Sequence, residues 1–271
     1  MGDFSAEWLA LREPADHAAR SARLTRAIAE RIARSTRRPR IVDLAAGAGS
    51  NVRYLAPYLP PRQQWRLVDH DAALLGAASR TIVPNVATIA ADTFDLSTLD
   101  APSAHELVDG ASLVTASALL DLVSDRFVGL LSAACRSAGA AVLFALTYDG
   151  RIACTPEDAG DAGVRDLVNR HQRRDKGFGS ALGPEAGLRA VRAFERVGYT
   201  VVSGASDWEF ASEDRAIQLE VLAGWAGAAS ELGDLPQAAI DSWLARRRKL
   251  VAAGRSSVRV GHVDVFATAT R

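Results

Sequence analysis

The stretch that decides the fold is Ile41-Val42-Asp43-Leu44-Ala45-Ala46-Gly47-Ala48-Gly49-Ser50-Asn51. Its first four residues are a short, mostly apolar run, which predicts a β-strand. The two glycines predict a tight turn, because glycine adopts backbone angles that other residues avoid and lets the backbone approach a ligand closely. A helix beginning near Asn51 would present unpaired N–H groups to the same ligand. The stretch therefore predicts a strand, a glycine-rich turn and a helix arranged around a bound molecule.

Short apolar runs and helical segments alternate on both sides of this turn. Six further strands are predicted, at residues 65–69, 86–89, 113–116, 140–146, 199–202 and 259–268. Strands that alternate with helices at this spacing predict βαβ units and a parallel sheet. We therefore expect an α/β protein with a doubly wound, mostly parallel sheet of seven strands and helices on both faces.

The chain is expected to form a single domain over residues 1–271. Its predicted parts are an N-terminal helix (15–38), a ligand-binding half (39–148), an insertion (149–183) and a C-terminal half (184–271). The insertion is polar and rich in glycine, and it is too long for a simple loop in a compact domain. It is predicted to carry a helix near residues 163–172 and to cover the ligand site.

Composition excludes several classes of protein. The 32 basic residues balance 32 acidic ones, which disfavours a general binder of nucleic acid or of anionic membranes. Two cysteines and five scattered histidines exclude a disulfide-dense scaffold and predict no metal site. No apolar run approaches the roughly 18 residues of a membrane span, and the first residues do not resemble a signal peptide. These features predict a cytoplasmic protein.

Acidic residues follow the next two predicted strands. Asp69 ends the second strand on the same edge of the sheet, where an acid can accept hydrogen bonds from two ribose hydroxyls. Asp92 follows the third strand and can reach the exocyclic amine of a base. A dinucleotide fingerprint requires a third glycine where this chain has Val52. Asp43 would repel a pyrophosphate but suits a cofactor with an ammonium group, so the pattern favours an adenosine cofactor other than a dinucleotide.

The sequence resembles the class I S-adenosylmethionine-dependent methyltransferases. The resemblance rests on four stretches in the family's order, at residues 43–49, 67–71, 91–92 and 113–122, with Ala45 where the family often has its first glycine. It implies the strand order 3-2-1-4-5-7-6 with strand seven antiparallel. It also implies S-adenosylmethionine as the cofactor and S-adenosylhomocysteine as the product. The residues implied in cofactor binding are Asp43, Ala45, Gly47, Gly49, Asn51, Asp69, His70, Asp92, Thr93 and Ser117.

The acceptor side is predicted from residues outside these motifs. Asp121 follows the fourth strand, where acceptor-contacting residues of this family lie, and is a candidate for binding the acceptor or removing its proton; a capping role is the alternative. His171 in the insertion is a candidate general base, because its ordinary pKa is near neutral. Both are predicted catalytic residues, although a solvated helix end is an alternative for His171. The candidate substrate-binding residues are Tyr148, Arg173, Arg174, Lys176 and Trp208.

These residues predict a methyl transfer by in-line displacement to a small-molecule acceptor, at an oxygen of a polar or anionic metabolite. Arginine-rich runs at residues 34–40 and 246–249 leave an RNA or protein acceptor as an alternative, which zero net charge disfavours. A nicotinamide-dependent oxidoreductase is opposed by Val52 and Asp43. A non-catalytic relative that binds the cofactor stays open, and so does a homodimer.

Overall fold

The computed structural model describes residues 5–81 and 83–270. The helices are α1 (Ala6–Ala19), α2 (Ala22–Ser35), α3 (Ser50–Leu55), α4 (Ala72–Ser79), α5 (Ala101–Val108), α6 (Asp125–Ala138), α7 (Asp161–Gln172), α8 (Ala186–Arg196), α9 (Arg215–Leu232) and α10 (Gln237–Ala252). The strands are β1 (Arg40–Leu44), β2 (Gln63–Asp69), β3 (Val86–Thr93), β4 (Leu113–Ser117), β5 (Ala141–Thr155), β6 (Tyr199–Ala205), β7 (Trp208–Phe210) and β8 (Ser257–Ala269).

The strands form one mixed sheet with the order β3-β2-β1-β4-β5-β8-β6, and β7 pairs with β8. Strands β1 to β5 are parallel, whereas β8 runs antiparallel to β5 and β6. The predicted α/β fold is confirmed, and so is its strand order, because the predicted seventh strand is β8. The eighth strand, β7, has three residues and was not predicted, since so short a run carries no clear periodicity.

Two apolar cores pack against the two faces of the sheet. One holds Leu24, Ile28 and Ile32 of α2, whose spacing of four residues places them on one side of the helix. The other holds residues of α5, α6 and α8, including Phe127 and Phe194. Helices on both faces leave the carboxyl ends of the parallel strands as the open edge where a ligand can bind.

A third core extends the molecule beyond that edge. It joins the second half of β5 and the first half of β8 to α7, α9, α10 and β7, and it contains Trp208, Trp225 and Trp243. Partly buried residues of α1, including Trp8 and Leu11, pack against it. We call this third core and the elements that it joins the cap, because they lie beyond the edge of the sheet where a ligand can bind.

The N-terminal segment differs from the predicted single helix at 15–38. It consists of α1 and α2, and the chain turns between them at Arg20 and Ser21. Ser21 caps α2, and its backbone N–H donates to Oδ2 of Asp264 at 2.9 Å. Pro14 lies inside α1, and a proline suppresses a helix prediction because it lacks an N–H donor. The predicted helix begins directly after this proline, at residue 15.

The insertion also differs in extent from the prediction. Residues 149–155 continue β5 and pair with β8 in a register that shifts between Tyr148 and Ile152. The predicted helix near 163–172 is α7, and α5 was not predicted. Among the helices that the structure describes, none is long and apolar enough to cross a membrane.

Candidate functional site

The glycine-rich turn joins β1 to α3 and has an unusual backbone. Ala45, Gly47 and Gly49 have φ values of 52°, 51° and 81°, in the left-handed region. A Cβ on Gly49 would lie 3.0 Å from the Cβ of Ala78, so both backbone angle and space require glycine there. Ala45 meets the same angle with a side chain, which costs about 1–2 kcal/mol.

Two further residues with positive φ lie at the same edge of the sheet. Ala118 directly follows β4, and Leu146 lies in β5 beside it, with φ values of 53° and 52°. Neither is a glycine, so each stores strain that the surrounding structure maintains. Such strained positions cluster at functional sites, and these two lie in the linings of the cavities described below.

Asp43 is completely buried at the carboxyl end of β1. Its Oδ1 accepts a hydrogen bond from Nδ2 of Asn51 at 2.8 Å, whereas Oδ2 has no partner among the described residues. Burial raises the pKa of the Asp43 carboxyl to about 7. An unpartnered buried carboxylate oxygen at a cavity needs a donor from a ligand to offset its desolvation.

Asn51 holds Asp43 in place. Its amide also donates to the hydroxyl of Thr115 at 3.1 Å, and its Oδ1 accepts from Nη1 of the buried Arg20 at 2.9 Å. The Arg20 guanidinium lies over the ring of Tyr54 at 4.4 Å. The carboxylate is therefore fixed by a neutral amide, which leaves its charge available to a cationic group of a ligand.

Asp69, at the end of β2, is held by backbone donors. Its Oδ2 accepts from the N–H of Gly47 at 2.8 Å and its Oδ1 from the N–H of Asp71 at 3.0 Å. Nδ1 of His70 lies 3.1 Å from Oδ1. Each carboxylate oxygen keeps a lone pair, so this nearly buried acid can accept hydrogen bonds from two neighbouring hydroxyls.

These groups line one cavity, which we call the cofactor cavity. Of the ten residues predicted to bind the cofactor, seven lie in its lining: Asp43, Ala45, Gly47, Asn51, Asp69, His70 and Ser117. Gly49 lies behind the lining at the N-terminus of α3. Leu9, Leu74, Leu119 and Leu122 add apolar surface.

Asp92 and Thr93 lie outside the lining of the cofactor cavity. The Asp92 carboxylate is occupied by an ion pair with Arg66, whose Nε donates to it at 2.9 Å. Thr93 is exposed at the end of β3. Asp92 and Thr93 lie at the predicted edge of the sheet, at the end of β3. The Asp92 carboxylate, however, pairs with Arg66 on the neighbouring strand β2, which gives it a structural role.

Helix α1 covers the cofactor cavity. The sequence analysis does not predict this position of the helix. Glu13 accepts from Nε of Arg53 at 2.6 Å, and Nη1 of Arg53 donates to the carbonyl of Ala48 in the glycine-rich turn at 2.7 Å. Nε2 of His17 lies 3.1 Å from Oγ of Ser50. These contacts fasten α1 to the turn and to the start of α3.

A second cavity of about 510 Å³ adjoins the first, and we call it the acceptor cavity. Arg12, Ala118 and Leu122 line both cavities, so they form the junction. The walls of the acceptor cavity include four aromatic side chains, those of Trp8, Tyr148, Trp208 and Trp225. The volume is within the range of about 300–1,000 Å³ that is typical of small-molecule sites.

Asp121 lines the acceptor cavity and is nearly completely buried. Its Oδ1 has no hydrogen-bond partner within the described residues. Burial raises the pKa of the Asp121 carboxyl to about 6. A carboxylate with this pKa is ionised at neutral pH and is a stronger base than an exposed aspartate.

His171 also lines the acceptor cavity, but both of its ring nitrogens have partners. Nε2 lies 2.9 Å from Oε2 of Glu231, and Nδ1 lies 3.2 Å from Nζ of Lys176, so Nδ1 accepts and Nε2 donates. In this arrangement His171 has no lone pair for an acceptor proton. Its contacts instead position Lys176, which lines the cavity too.

The other predicted substrate-binding residues separate into two groups. Tyr148 and Trp208 line the cavity; the Tyr148 hydroxyl donates to Oδ1 of Asn169 at 2.7 Å. Arg173 and Arg174 lie outside the lining and are about half exposed, beside Glu185 and Glu231. The structure therefore brings only Lys176 of the predicted cationic cluster into the cavity.

Arg12 and His262 are among the lining residues that the sequence analysis does not assign to the acceptor. Arg12 lies above the ring of Trp208 at 5.3 Å, and its Nε donates to Asp16 at 2.8 Å. His262 lies beside Trp208, with ring centroids 4.8 Å apart. In a strand, residues two apart lie on the same face, so His262 shares a face with the apolar Val260. This alternation in the sequence indicates that His262 is buried.

The chain matches no family model and no curated protein. It is similar in structure to phosphoethanolamine N-methyltransferase 2 from Haemonchus contortus (15% identity, TM-score 0.48), covering 99% of this chain but only 59% of that one. It is similar to an S-adenosylmethionine-dependent methyltransferase from Geobacter sulfurreducens (14%, TM-score 0.47), covering 100% of both chains. It is also similar to the cyclopropane synthase MmaA2 from Mycobacterium tuberculosis (10%, TM-score 0.46), covering 99% and 87%. Such low values do not assign an activity, so the function is argued from the two cavities.

Proposed function

We propose that the protein is an S-adenosylmethionine-dependent methyltransferase that acts on a small molecule in the acceptor cavity. The observation that carries this proposal is the unpartnered oxygen of buried Asp43 in a cavity that a glycine-rich turn forms with Asp69. An ammonium group offsets the desolvation of Asp43, and two ribose hydroxyls fit the two oxygens of Asp69. Both requirements are met by the same cofactor.

The residues of the cofactor cavity fit this molecule better than a dinucleotide. Val52 stands where a dinucleotide fingerprint has its third glycine, and Asp43 would repel a pyrophosphate. When bound, S-adenosylmethionine supplies a methyl group on a positively charged sulfur, which is a good leaving group. The protein then has to align the acceptor and exclude water, and α1 and the cap enclose the site accordingly.

Asp121 is the residue we propose as the base for an oxygen acceptor. Asp121 lines the acceptor cavity and has a buried, unpartnered Oδ1, and it belongs to the loop that contributes Ala118 and Leu122 to the junction. An acceptor hydroxyl that donates to Oδ1 would transfer its proton to Asp121; the cofactor, when bound, would supply the methyl group to the acceptor oxygen and leave as S-adenosylhomocysteine. His171 holds Lys176 rather than serving as the base, because both ring nitrogens have partners.

The size of the acceptor cavity, about 510 Å³, supports a small acceptor over RNA or a protein surface. The arginine run on α10, an argument for RNA, is partly structural: Arg247 is fully buried and forms an ion pair with Asp161, and Arg246 pairs with Asp158 at 2.6 Å. Arg247 is therefore unavailable to phosphates, and the half-exposed Arg246 already has an acidic partner.

The proposal is tested by transfer of a labelled methyl group from S-adenosylmethionine into a protein-free metabolite extract. We expect label in small organic molecules with the wild-type protein and its loss in Gly224→Leu. Gly224 lines the acceptor cavity, and a Cβ there meets open space, so leucine would fill the cavity. Gly227→Leu is the matched control, because this glycine of the same helix is outside the lining and also unobstructed. Label only in added RNA or protein, or no transfer by a protein that binds S-adenosylhomocysteine, would contradict the proposal.

A further inference from the structure

We propose that the acceptor is a planar aromatic carboxylate that also carries a hydroxyl group. This inference rests on the proposed function and specifies its substrate class. Three features of the acceptor cavity support it: aromatic walls, two cationic side chains with unused donors, and two buried hydrogen-bond acceptors.

The walls favour a flat ring. Trp208, Trp225 and Tyr148 are each more than nine-tenths buried and belong to the third core, so their positions are fixed by packing. Trp8 of α1 adds a partly buried aromatic side chain. Aromatic walls with little freedom favour planar ligands, because ring stacking gains more than the burial of area alone. Gly224 on α9 also lines the cavity, and a Cβ there would have no heavy atom within 4 Å.

The cationic side chains favour a carboxylate. Arg12 uses only Nε, toward Asp16, and its Nη1 and Nη2 form no hydrogen bond within residues 5–81 and 83–270. Its side chain is 12% exposed, so these two donors are largely removed from solvent. Lys176 donates to Nδ1 of His171 and keeps two further N–H donors. A guanidinium with two open Nη groups matches the two oxygens of a carboxylate.

The two acceptors favour a hydroxyl. Asp121 offers its unpartnered Oδ1. Nδ1 of His262 lies 3.1 Å from the carbonyl of Val260, and because a carbonyl only accepts, this nitrogen carries the proton. Burial lowers the pKa of His262 to about 4, so its Nε2 keeps its lone pair at neutral pH. Nε2 has no partner in the described part of the chain, so His262 is a second site that can accept a hydrogen bond from a ligand hydroxyl.

A cationic amine fits this cavity less well, although aromatic walls also bind ammonium groups. Arg12 and Lys176 would repel it. The lining contains the titratable groups Arg12, Asp121, Tyr148, His171, Lys176, Glu220 and His262. Of its acids, Glu220 is exposed at the rim and Asp121 lies inside. An anionic ligand with one hydroxyl satisfies the interior cations and donates its one O–H to one of the two interior acceptors.

The test is a calorimetric titration of the full chain with 4-hydroxybenzoate, with and without saturating S-adenosylhomocysteine. Phenol lacks the carboxylate, and 4-hydroxycyclohexanecarboxylate lacks the aromatic ring. We expect 4-hydroxybenzoate to bind about tenfold or more tightly than phenol, the scale of a hydrogen bond to a charged group. We expect it to bind about twofold to tenfold more tightly than the saturated analogue, the scale of ring stacking. Equal binding of phenol would overturn the carboxylate assignment, and equal binding of the saturated analogue would overturn the aromatic one.

Variants locate the binding. Arg12→Gln should remove the preference for 4-hydroxybenzoate over phenol, while Arg12→Lys keeps part of it. Arg165→Gln is the matched control, because this α7 arginine is 43% exposed and outside the lining. Gly224→Leu should remove binding and Gly227→Leu should retain it, and circular dichroism of each variant verifies folding. An unchanged preference in folded Arg12→Gln would overturn the assignment of Arg12.

The two proposals fail differently in this experiment. Loss of the proposed function would appear as no binding of S-adenosylhomocysteine to the wild-type protein. The titrations without S-adenosylhomocysteine would still decide whether the acceptor cavity selects aromatic hydroxy acids. Binding of S-adenosylhomocysteine without any preference among the three compounds would overturn this inference alone.

Discussion

Asp43 is completely buried and has one hydrogen-bond donor, the neutral amide of Asn51. This arrangement lowers the free energy of unfolding by an amount that can be measured. Its pKa is about 7 in the folded protein and near the ordinary 3.8 when unfolded. Between these values the folded protein binds more protons than the unfolded one, so the free energy of unfolding falls as pH rises from about 4 to 7. Above this window the full cost of a buried charge is present.

We predict that Asp43→Asn raises the melting temperature at about pH 8 and that its advantage over the wild type shrinks toward about pH 4. Asparagine keeps the contact with Asn51 and carries no charge. The same variant should bind S-adenosylhomocysteine more weakly, a gain of stability at the expense of function. A lower melting temperature than the wild type at pH 8 would mean that the carboxylate stabilises the fold.

Asp121 should impose a pH dependence on methyl transfer. The base has to be ionised, and its pKa is about 6, so kcat/KM is expected to rise with pH through 6 and to level off above. Asp121→Asn should lower kcat by about 10²-fold or more and abolish this rise. A variant that retains the wild-type pH profile would return Asp121 to a structural role.

Ala45 carries a strain that glycine would relieve. Because its φ is 52°, we predict that Ala45→Gly raises the free energy of unfolding by about 0.5–1 kcal/mol, after the entropy of glycine in the unfolded chain is subtracted. Urea denaturation measures the change. Ala46→Gly is the control: this neighbour is buried and its φ is not positive, so the substitution should destabilise. Destabilisation by both would refute the strain at Ala45.

Helix α1 is the element that links the two cavities, since it covers the cofactor cavity and contributes Arg12 to the acceptor cavity. Glu13 fastens it to Arg53 through a pair that is only partly exposed. We predict that Glu13→Gln accelerates dissociation of S-adenosylhomocysteine about twofold to fivefold, as expected for such a pair. Stopped-flow fluorescence measures this rate, with the exposed pair of Glu30 and Arg34 on α2 as the control through Glu30→Gln. Equal dissociation rates in both variants would show that the Glu13 contact does not retain the cofactor.

At the level of the whole molecule, the sheet and the cofactor side were predictable from sequence because they depend on local patterns. The apolar runs of β1 and β4 and the glycine-rich turn each signal their structure within a few residues. Asp43 and Asp69 follow from position alone, since the carboxyl ends of parallel strands meet at one edge.

The acceptor side depends on contacts between distant segments, which no local pattern reports. Arg12, Tyr148, His171, Trp225 and His262 come together only when α1, α7 and α9 pack over β5 and β8. Pro14 lies inside α1, where a proline argues against a helix in the sequence. In the charged run near His171, Arg173 and Arg174 form half-exposed ion pairs outside the cavity. The sequence therefore indicates the region that forms the cap, whereas the side chains that reach the cavity depend on how the helices pack.

Calorimetric titration with S-adenosylhomocysteine, with NADH as the control ligand, shows whether the cofactor cavity binds the proposed cofactor. We predict a dissociation constant in the micromolar range for S-adenosylhomocysteine and no binding of NADH. Asp69→Ala should weaken the first by about 1.5–3 kcal/mol, the scale of hydrogen bonds to a charged group. Binding of NADH instead, binding of neither ligand, or an affinity unaffected by Asp69→Ala would contradict the account.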